Sequence, residues 1–133
     1  MTDNSPDPIF VLDASALLCL LFDEPGADRV EARLTRALVS AVNYHEVLAK
    51  LTDRGVETTE ARAMLAELDI DIIAVDREQA DIGGEIRPLT RSLGLSLGDR
   101  CCLALAKSRQ AVAITADQVW GDLDIGVVVE LVR

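Results

Sequence analysis

Aromatic side chains and histidine are scarce in this sequence. Four of the 133 residues are Phe, Trp or Tyr, and one, His45, is histidine. A hydrophobic core must therefore be built mainly from Leu, Val, Ile and Ala. A surface that stacks nucleic-acid bases on a row of aromatic rings is disfavoured. A zinc site is disfavoured as well, because His45 has no Cys or His partner at metal-ligand spacing.

Cysteines and long apolar runs are also few. Cys19, Cys101 and Cys102 form neither a C-x-x-C motif nor an even set, so reduced thiols in a cytosol are the simplest interpretation. Residues 1–8 are polar and acidic, unlike a secretory signal, and we expect them to be a flexible leader. The longest apolar run, residues 16–22, is far shorter than a membrane span. We therefore expect a soluble, cytoplasmic protein with no membrane partner.

Positive charge is in short supply. The chain has 13 Lys and Arg against 23 Asp and Glu, a net charge of −10, which argues against binding nucleic acid by charge alone. The distribution is uneven, because residues 87–109 contain five cations and one acid, Asp99, and carry +4, leaving −14 for the rest. Three arginines of this basic segment are candidate contacts for an RNA backbone, although a solvated helix face explains them equally well. They are Arg87, Arg91 and Arg100.

Short apolar runs alternate with amphipathic stretches along residues 9–133, which we expect to form a single domain. Five runs predict β-strands, and the stretches between them, residues 25–37 included, predict helices. The runs are IFVLD, LVSAV, IDIIAV, AVAIT and GVVVELV. Gly83, Gly84 and Pro88 predict a break or kink in the helix of residues 77–93. This alternation is typical of an α/β fold whose largely parallel sheet is covered by helices on both faces.

Four acids stand at strand ends or helix starts, and each has a structural explanation when taken alone. Asp13 and Asp117 follow predicted strands and can cap the next helix. Asp99 suits the dipole of a first helical turn. Glu46 can complete a capping box with Asn43, or can pair with Lys50 one turn further along the helix.

Taken together, these acids favour a metal site. In a parallel α/β sheet, strand ends and helix starts meet at one edge, where ligands bind. Four carboxylates gathered there would repel one another, and at least one pKa would rise. A hard cation that prefers oxygen ligands, Mg²⁺ or Mn²⁺, would relieve the repulsion.

Four segments carry a resemblance to a known family, and they occur in the same order along residues 9–133. They are VLDASALLCLLFDEPGA, SAVNYHEVLAKL, GLSLGDRCCLALA and AITADQVW. Together they closely resemble the PIN-domain ribonucleases, specifically the VapC toxins of bacterial toxin–antitoxin pairs. The family's acidic quartet maps onto Asp13, Glu46, Asp99 and Asp117, and its supporting hydroxyls map onto Ser15 and Thr115.

The resemblance implies a three-layer α/β/α fold, a divalent-metal site and endonucleolytic cleavage of RNA. It also implies a homodimer and a cognate VapB-like antitoxin that blocks the active site. Metal-activated hydrolysis does not need the RNA 2′-hydroxyl, so 5′-phosphate and 3′-hydroxyl ends are expected. Asp122 is a further acid near the predicted cleft, but a solvated loop is the preferred interpretation. Trp120 is predicted to be a packing anchor beside the cleft.

Two other functions compete with this prediction. A phosphotransferase of the haloacid dehalogenase type needs a second aspartate two residues after the first, and Ser15 occupies that position. A PIN fold kept only as a catalytically silent binding module is disfavoured by the intact acidic quartet. A nucleotide-binding P-loop and a G-x-S-x-G nucleophile motif are both absent from the sequence.

Overall fold

The computed structural model describes residues 7–133, within which five strands and six α-helices form an α/β fold. The strands are β1 (Phe10–Leu12), β2 (Ala37–Ser40), β3 (Ile70–Ile73), β4 (Val112–Thr115) and β5 (Val129–Leu131). The helices are α1 (Ala14–Leu21), α2 (Ala27–Glu31), α3 (Ala41–Asp53), α4 (Thr58–Ala66), α5 (Arg77–Thr90) and α6 (Leu97–Arg109). Short 3₁₀ helices follow α5 at Arg91–Leu93 and β4 at Gln118–Asp122. Residues 1–6, most of the expected leader, lie outside the described residues.

The sheet is parallel throughout, in the order β3-β2-β1-β4-β5. The chain builds outward from β1 through β2 to β3, and then returns to place β4 on the other side of β1. The order of the strands therefore reverses between β1 and β4, where Leu12 pairs with Ile114. In open α/β sheets such a switch point leaves a crevice beyond the carboxyl ends of the strands.

Alternate residues of the strands supply two cores, one on each face of the sheet. Leu12, Val39 and Ile114 pack with α1, α3 and α4 on one face. Val11, Leu38 and Ala113, their neighbours along the strands, pack with α5 and α6 on the other. Because side chains alternate between the faces of a strand, both faces must be covered by helices. The predicted three-layer α/β/α architecture with about five parallel strands is confirmed.

Gly83, Gly84 and Pro88 predicted a break or kink, and helix α5 has no break at these residues. It is continuous from Arg77 to Thr90, with Pro88 inside it. The residue four positions before Pro88, whose carbonyl the proline ring crowds, is Gly84, and the space around Gly84 is open. Ile86 is buried in the core between these residues. Tertiary packing therefore overrides the local helix-breaking tendency.

Two further differences concern helix length and membrane insertion. Helix α2 covers only Ala27–Glu31, whereas the pattern predicted a helix over residues 25–37. Arg36 after it has a positive φ of 51°, so a turn rather than a helix leads into β2. Among the described residues no helix is both long and apolar enough to cross a membrane.

Candidate active site

Asp13 follows β1 directly and lies at the switch point of the sheet. Its carboxylate caps α1 by accepting a hydrogen bond from the Ala16 amide at 2.8 Å. The capping explanation is therefore correct, but it is incomplete. Asp13 is only 3% exposed, whereas a cap at a helix start usually keeps contact with water.

Two hydroxyls join the Asp13 carboxylate to the end of β4. Ser15 Oγ donates to Asp13 Oδ1 at 2.7 Å, and Thr115 Oγ1 donates to Asp13 Oδ2 at 2.6 Å. The same hydroxyls accept from the next two amides of the β4 end, because Ala116 N lies 3.0 Å from Ser15 Oγ and Asp117 N lies 3.0 Å from Thr115 Oγ1. Both oxygens of the carboxylate are thus held, and these hydrogen bonds fix Asp117 relative to Asp13.

The Asp13 carboxylate has no cationic partner among the residues that the structure describes. Burial raises its pKa from 3.8 to about 6, although hydrogen bonds from Thr115, Ala16 and Ser15 oppose the rise. The nearby charge of Asp99 raises the pKa further. Within residues 7–133 no Lys, Arg or His forms an ion pair with Asp13. A desolvated, uncompensated carboxylate of this kind favours a bound cation.

Glu46 approaches the start of α6 through an asparagine and a glycine. The amide nitrogen of Asn43 donates both to Glu46 Oε1 at 2.9 Å and to the Gly98 carbonyl at 3.0 Å, and so joins α3 to α6. A Cβ atom on Gly98 would collide with the Glu46 carboxylate. Glycine at this position therefore leaves room for the Glu46 carboxylate against the start of α6.

The predicted structural roles of Glu46 are not observed. The residue that caps α3 is Ser40, the last residue of β2, and not Asn43. Helix α3 follows β2 without a loop, so the capping position falls before the predicted one. Glu46 forms no ion pair with Lys50 among the described residues.

Asp99 and Asp117 each cap the start of a helix and are half-buried. Asp99 Oδ2 accepts from the Ser96 amide at 2.9 Å and completes a capping box at α6. Asp117 Oδ1 accepts from the Val119 amide at 3.1 Å at the 3₁₀ helix after β4. In both side chains the second oxygen accepts no hydrogen bond from residues 7–133. Each acid is thus positioned by its backbone with one oxygen still available.

The buried thiol of Cys102 lies within electrostatic reach of three of these acids. Its pKa is raised well above the ordinary value, first by burial and then by the charges of Asp13, Asp99 and Glu46. Cys102 packs in the core beneath them, as expected for a structural cysteine. Hydrogen bonds through Thr115 add Asp117 to the group. The fold therefore brings all four predicted acids to one edge of the sheet.

The four acids do not form a ready-made metal cage. Within residues 7–133 no three Asp, Glu, His or Cys side chains are arranged to hold a metal ion together. Local hydrogen bonds to Asn43, Ser96 and Val119 hold Glu46, Asp99 and Asp117 in their present orientations. The donor set nevertheless fits a hard divalent cation, since it consists of carboxylate and hydroxyl oxygens around an unpaired buried charge.

The three predicted arginine contacts lie in different surroundings. Arg100 is half-buried beside Asp99 and lines a cavity of about 410 Å³ with Gln79, Leu97 and Cys101. Arg91 is exposed and Arg87 is half-buried, and no contact among the described residues links either of them to the acids. Arg100 follows Asp99 in the chain, but the cavity that it lines contains none of the four acids.

Two side chains around the acids lie as predicted, and the roles of two others were not predicted. Trp120 is fully buried in the core on the α6 side, as predicted for a packing anchor. Asp122 is exposed. Sequence reasoning missed the role of Gly98, whose only local indication is a glycine in the first turn of a helix. Asn43 was noticed only as a cap, although its main contact lies 55 residues away at Gly98.

The strand order and the acids at the switch point define an α/β/α domain with an acidic cleft. Residues 10–126 match the family model of the PIN domain, and the chain therefore belongs to the PIN-domain family. The predicted resemblance is confirmed at this level. A search of curated proteins found no match.

Solved structures with the same fold include proteins of toxin–antitoxin systems. A toxin–antitoxin complex from Klebsiella pneumoniae has a TM-score of 0.73 at 19% identity, covering 92% of this chain and 97% of that chain. DNA-bound VapBC from Salmonella typhimurium has a TM-score of 0.73 at 16% identity, covering 95% and 99%. Mycobacterium tuberculosis VapC20, a sarcin–ricin loop cleaving toxin, has a TM-score of 0.68 at 16% identity, covering 89% and 98%. At these identities the likeness shows the fold.

Proposed function

We propose that this chain is a VapC-type toxin of a bacterial toxin–antitoxin pair and an endoribonuclease that depends on a divalent cation. The observation that carries the proposal is the buried Asp13 carboxylate, which lies at the switch point and has no cationic partner within residues 7–133. Glu46, Asp99 and Asp117 face the same crevice from three other elements. Membership of the PIN-domain family and the fold shared with a sarcin–ricin loop cleaving toxin support it.

The proposed metal ligands are the four acids, with Mg²⁺ or Mn²⁺ as the cation. Asp13, Asp99 and Asp117 are the first choices for direct or water-mediated ligands, and Glu46 completes the set. When bound, the cation supplies polarisation of a phosphoryl oxygen and lowers the pKa of a bound water. The free oxygens of Asp99 and Asp117 are suited to this role because capping occupies only the other oxygen of each.

The remaining side chains orient these acids and the attacking water. Ser15 and Thr115 hold the plane of the Asp13 carboxylate, so that its charge stays directed at the crevice. Asn43 holds one oxygen of Glu46, and the other oxygen is free to orient a water or to accept its proton. Hydrolysis by water leaves a 5′-phosphate and a 3′-hydroxyl, because the RNA 2′-hydroxyl takes no part.

We also carry the predicted partners forward as proposals. Several neighbours of this fold are VapBC or FitAB assemblies, some bound to DNA. On that basis we propose a cognate VapB-like antitoxin that covers the crevice, a homodimer and a cytoplasmic location. Arg100 follows Asp99 in the chain and is proposed to contact the RNA backbone. Arg87 and Arg91 stay predictions of the same kind.

One observation favours a second candidate, a PIN fold that binds partners without catalysis. The acids form no ready-made metal group within the described residues, and three of them have capping or bridging hydrogen bonds that would hold a purely structural role. The buried charge of Asp13 argues against it, because its raised pKa means that burial costs the charge more than the hydrogen bonds of the cap return.

RNA cleavage by purified, antitoxin-free protein tests the proposal. Total RNA is incubated with Mg²⁺, Mn²⁺ or EDTA, and new 5′ ends are mapped and tested for phosphate. We expect cation-dependent cuts with 5′-phosphates, lost in Asp99→Asn and kept in the matched control Asp122→Asn, an exposed acid of a neighbouring loop. Equal cleavage in EDTA, or 2′,3′-cyclic phosphate ends, would contradict the metal chemistry. Antitoxin binding that persists without any cleavage would favour the binding module.

A further inference from the structure

A groove runs between α1 and α3 and begins at the candidate active site. It has a volume of about 250 Å³ and is lined by Ser15, Leu18, Phe22, Glu24, Lys50, Arg54 and Arg133. We call it the α1–α3 groove. Ser15 belongs both to the groove and to the site, because its hydroxyl donates to Asp13. The groove therefore adjoins the candidate active site at Ser15.

The α1–α3 groove is a basic region on an acidic protein. It contains three cations and one acid, whereas the whole chain carries −10. Lys50 and Arg54 follow Glu46 at successive intervals of four residues on α3, so the three side chains form a stripe along one face of the helix. The stripe changes from an acid at the crevice to two cations away from it.

Two of these cations are not neutralised. Among the described residues neither Lys50 nor Arg54 forms an ion pair, while Arg133 lies 3.5 Å from Glu24. The Arg54 guanidinium sits over the ring of Phe22, 4.5 Å from its centroid. This contact positions the guanidinium without cancelling its charge, which leaves its donors for a planar anion such as phosphate.

We propose that the α1–α3 groove binds the phosphate backbone of the single-stranded RNA that enters the active site, through Lys50, Arg54 and Arg133. The inference rests on the proposed function. Phosphates that flank the cut bond need cations beside the crevice, and this groove supplies them next to Ser15, the residue that it shares with the site. The Phe22 ring is covered by Arg54, so the groove recognises charge and not a stacked base.

Binding of a fluorescein-labelled single-stranded RNA tests the groove. Anisotropy is measured with Mg²⁺ in the inactive Asp99→Asn background, for the double variant Lys50→Gln/Arg54→Gln and for Lys107→Gln/Arg109→Gln. The second variant is the matched control, since it removes one Lys and one Arg from exposed positions at the far end of α6. Thermal unfolding of each variant, and the single variant Lys50→Gln at an exposed position, separate lost binding from lost folding.

We expect the groove variant to bind RNA about tenfold more weakly, and the slope of log K against log salt to fall by about 1.4, or about 0.7 per lost contact. The control should stay within about twofold, with its slope unchanged. Unchanged binding by the groove variant, or an equal loss in the control, would overturn the inference. The inference would also be overturned if the groove variant lost binding to polyglutamate and kept its binding to RNA, because the groove would then fit an acidic peptide. Groove-dependent binding by a wild-type protein that cleaves no RNA supports the groove and refutes only the proposed function.

Discussion

Replacing Asp13 by asparagine should make the cation-free protein more stable while removing its activity. Asparagine keeps the shape of the side chain and removes the uncompensated charge. Its oxygen can still accept from Ser15 and Ala16. Its amide nitrogen replaces the carboxylate oxygen that accepts from Thr115, and it can donate to Thr115 Oγ1 instead. Thr115 can then donate to Ser15, whose oxygen lies 3.2 Å away. The variant therefore loses a charge without leaving a buried polar atom unpaired.

The raised pKa of Asp13 sets the size of the effect. Because that pKa is about 6 in the folded protein and 3.8 ordinarily, the folded state binds more protons than the unfolded state between these values. The free energy of unfolding therefore falls as the pH rises through this window. At about 1.4 kcal/mol per pKa unit, the ionised carboxylate destabilises the folded state by about 3 kcal/mol above pH ~7.

Urea unfolding in EDTA measures this effect directly. The free energy of unfolding of Asp13→Asn should exceed that of the wild type by up to about 3 kcal/mol near pH 8, and by about 1.5 kcal/mol less near pH 5. Comparing the variant with the wild type at each pH removes contributions from other titrating groups. The exposed Asp122→Asn variant is the control and should show no pH-dependent gain.

Two results would refute the reasoning about Asp13. The first is an Asp13→Asn protein that is no more stable than the wild type near pH 8. The second is a gain of the same size near pH 5 and near pH 8, because the stabilisation would then not come from removing a charge. Adding Mg²⁺ provides a further check, since a cation that binds only the folded state should stabilise the wild type and not the variant.

The remaining predictions concern the two contacts that hold the acids in place. Gly98→Ala should slow cleavage while changing the free energy of unfolding by less than about 1 kcal/mol, because the added Cβ displaces only the flexible carboxylate end of Glu46. Gly84→Ala, in the open part of α5, is its control and should be neutral or stabilising by about 0.5–1 kcal/mol in thermal unfolding. A Gly98→Ala protein that cleaves RNA as fast as the wild type would contradict the contact between Gly98 and Glu46. Thr115→Val should destabilise by about 1–3 kcal/mol and slow cleavage, because Asp13 and the Asp117 amide both lose a partner. Thr115→Ser should restore both in the same assays, and a failure of serine to do so would show that the hydroxyl is not the cause.

The fold was largely predictable because the strands are short, apolar and regularly spaced. All five predicted strands are present, and each strand end lies within three residues of the predicted one. The errors fall where tertiary packing decides the outcome. Burial of Ile86 keeps α5 continuous across Pro88, and the turn at Arg36 ends the α2 region early. The local sequence pattern gives no indication of either effect.

The acids of the candidate site were predictable, but the contacts that hold them were not. Each acid stands beside a strand end or a helix start, which is visible in the sequence. The contact between Asn43 and Gly98 spans 55 residues, and that between Asp13 and Thr115 spans 102. Periodicity within one element carries no information about which side chains meet across two elements. The α1–α3 groove was missed for the same reason, because Arg133 joins Lys50 only in the folded chain.

The structural and functional explanations of these acids turn out to be compatible rather than exclusive. A carboxylate has two oxygens and about four lone-pair positions, and a helix cap uses one of them. In Asp99 and Asp117 the cap fixes one oxygen on the backbone, so the direction of the other is fixed as well. Asp13 differs, because both of its oxygens are occupied and its charge is nevertheless unpaired. Capping accounts for the positions of Asp13, Asp99 and Asp117, and the Asn43 amide accounts for that of Glu46. Capping does not account for the buried charge of Asp13, which a cation in the crevice would neutralise.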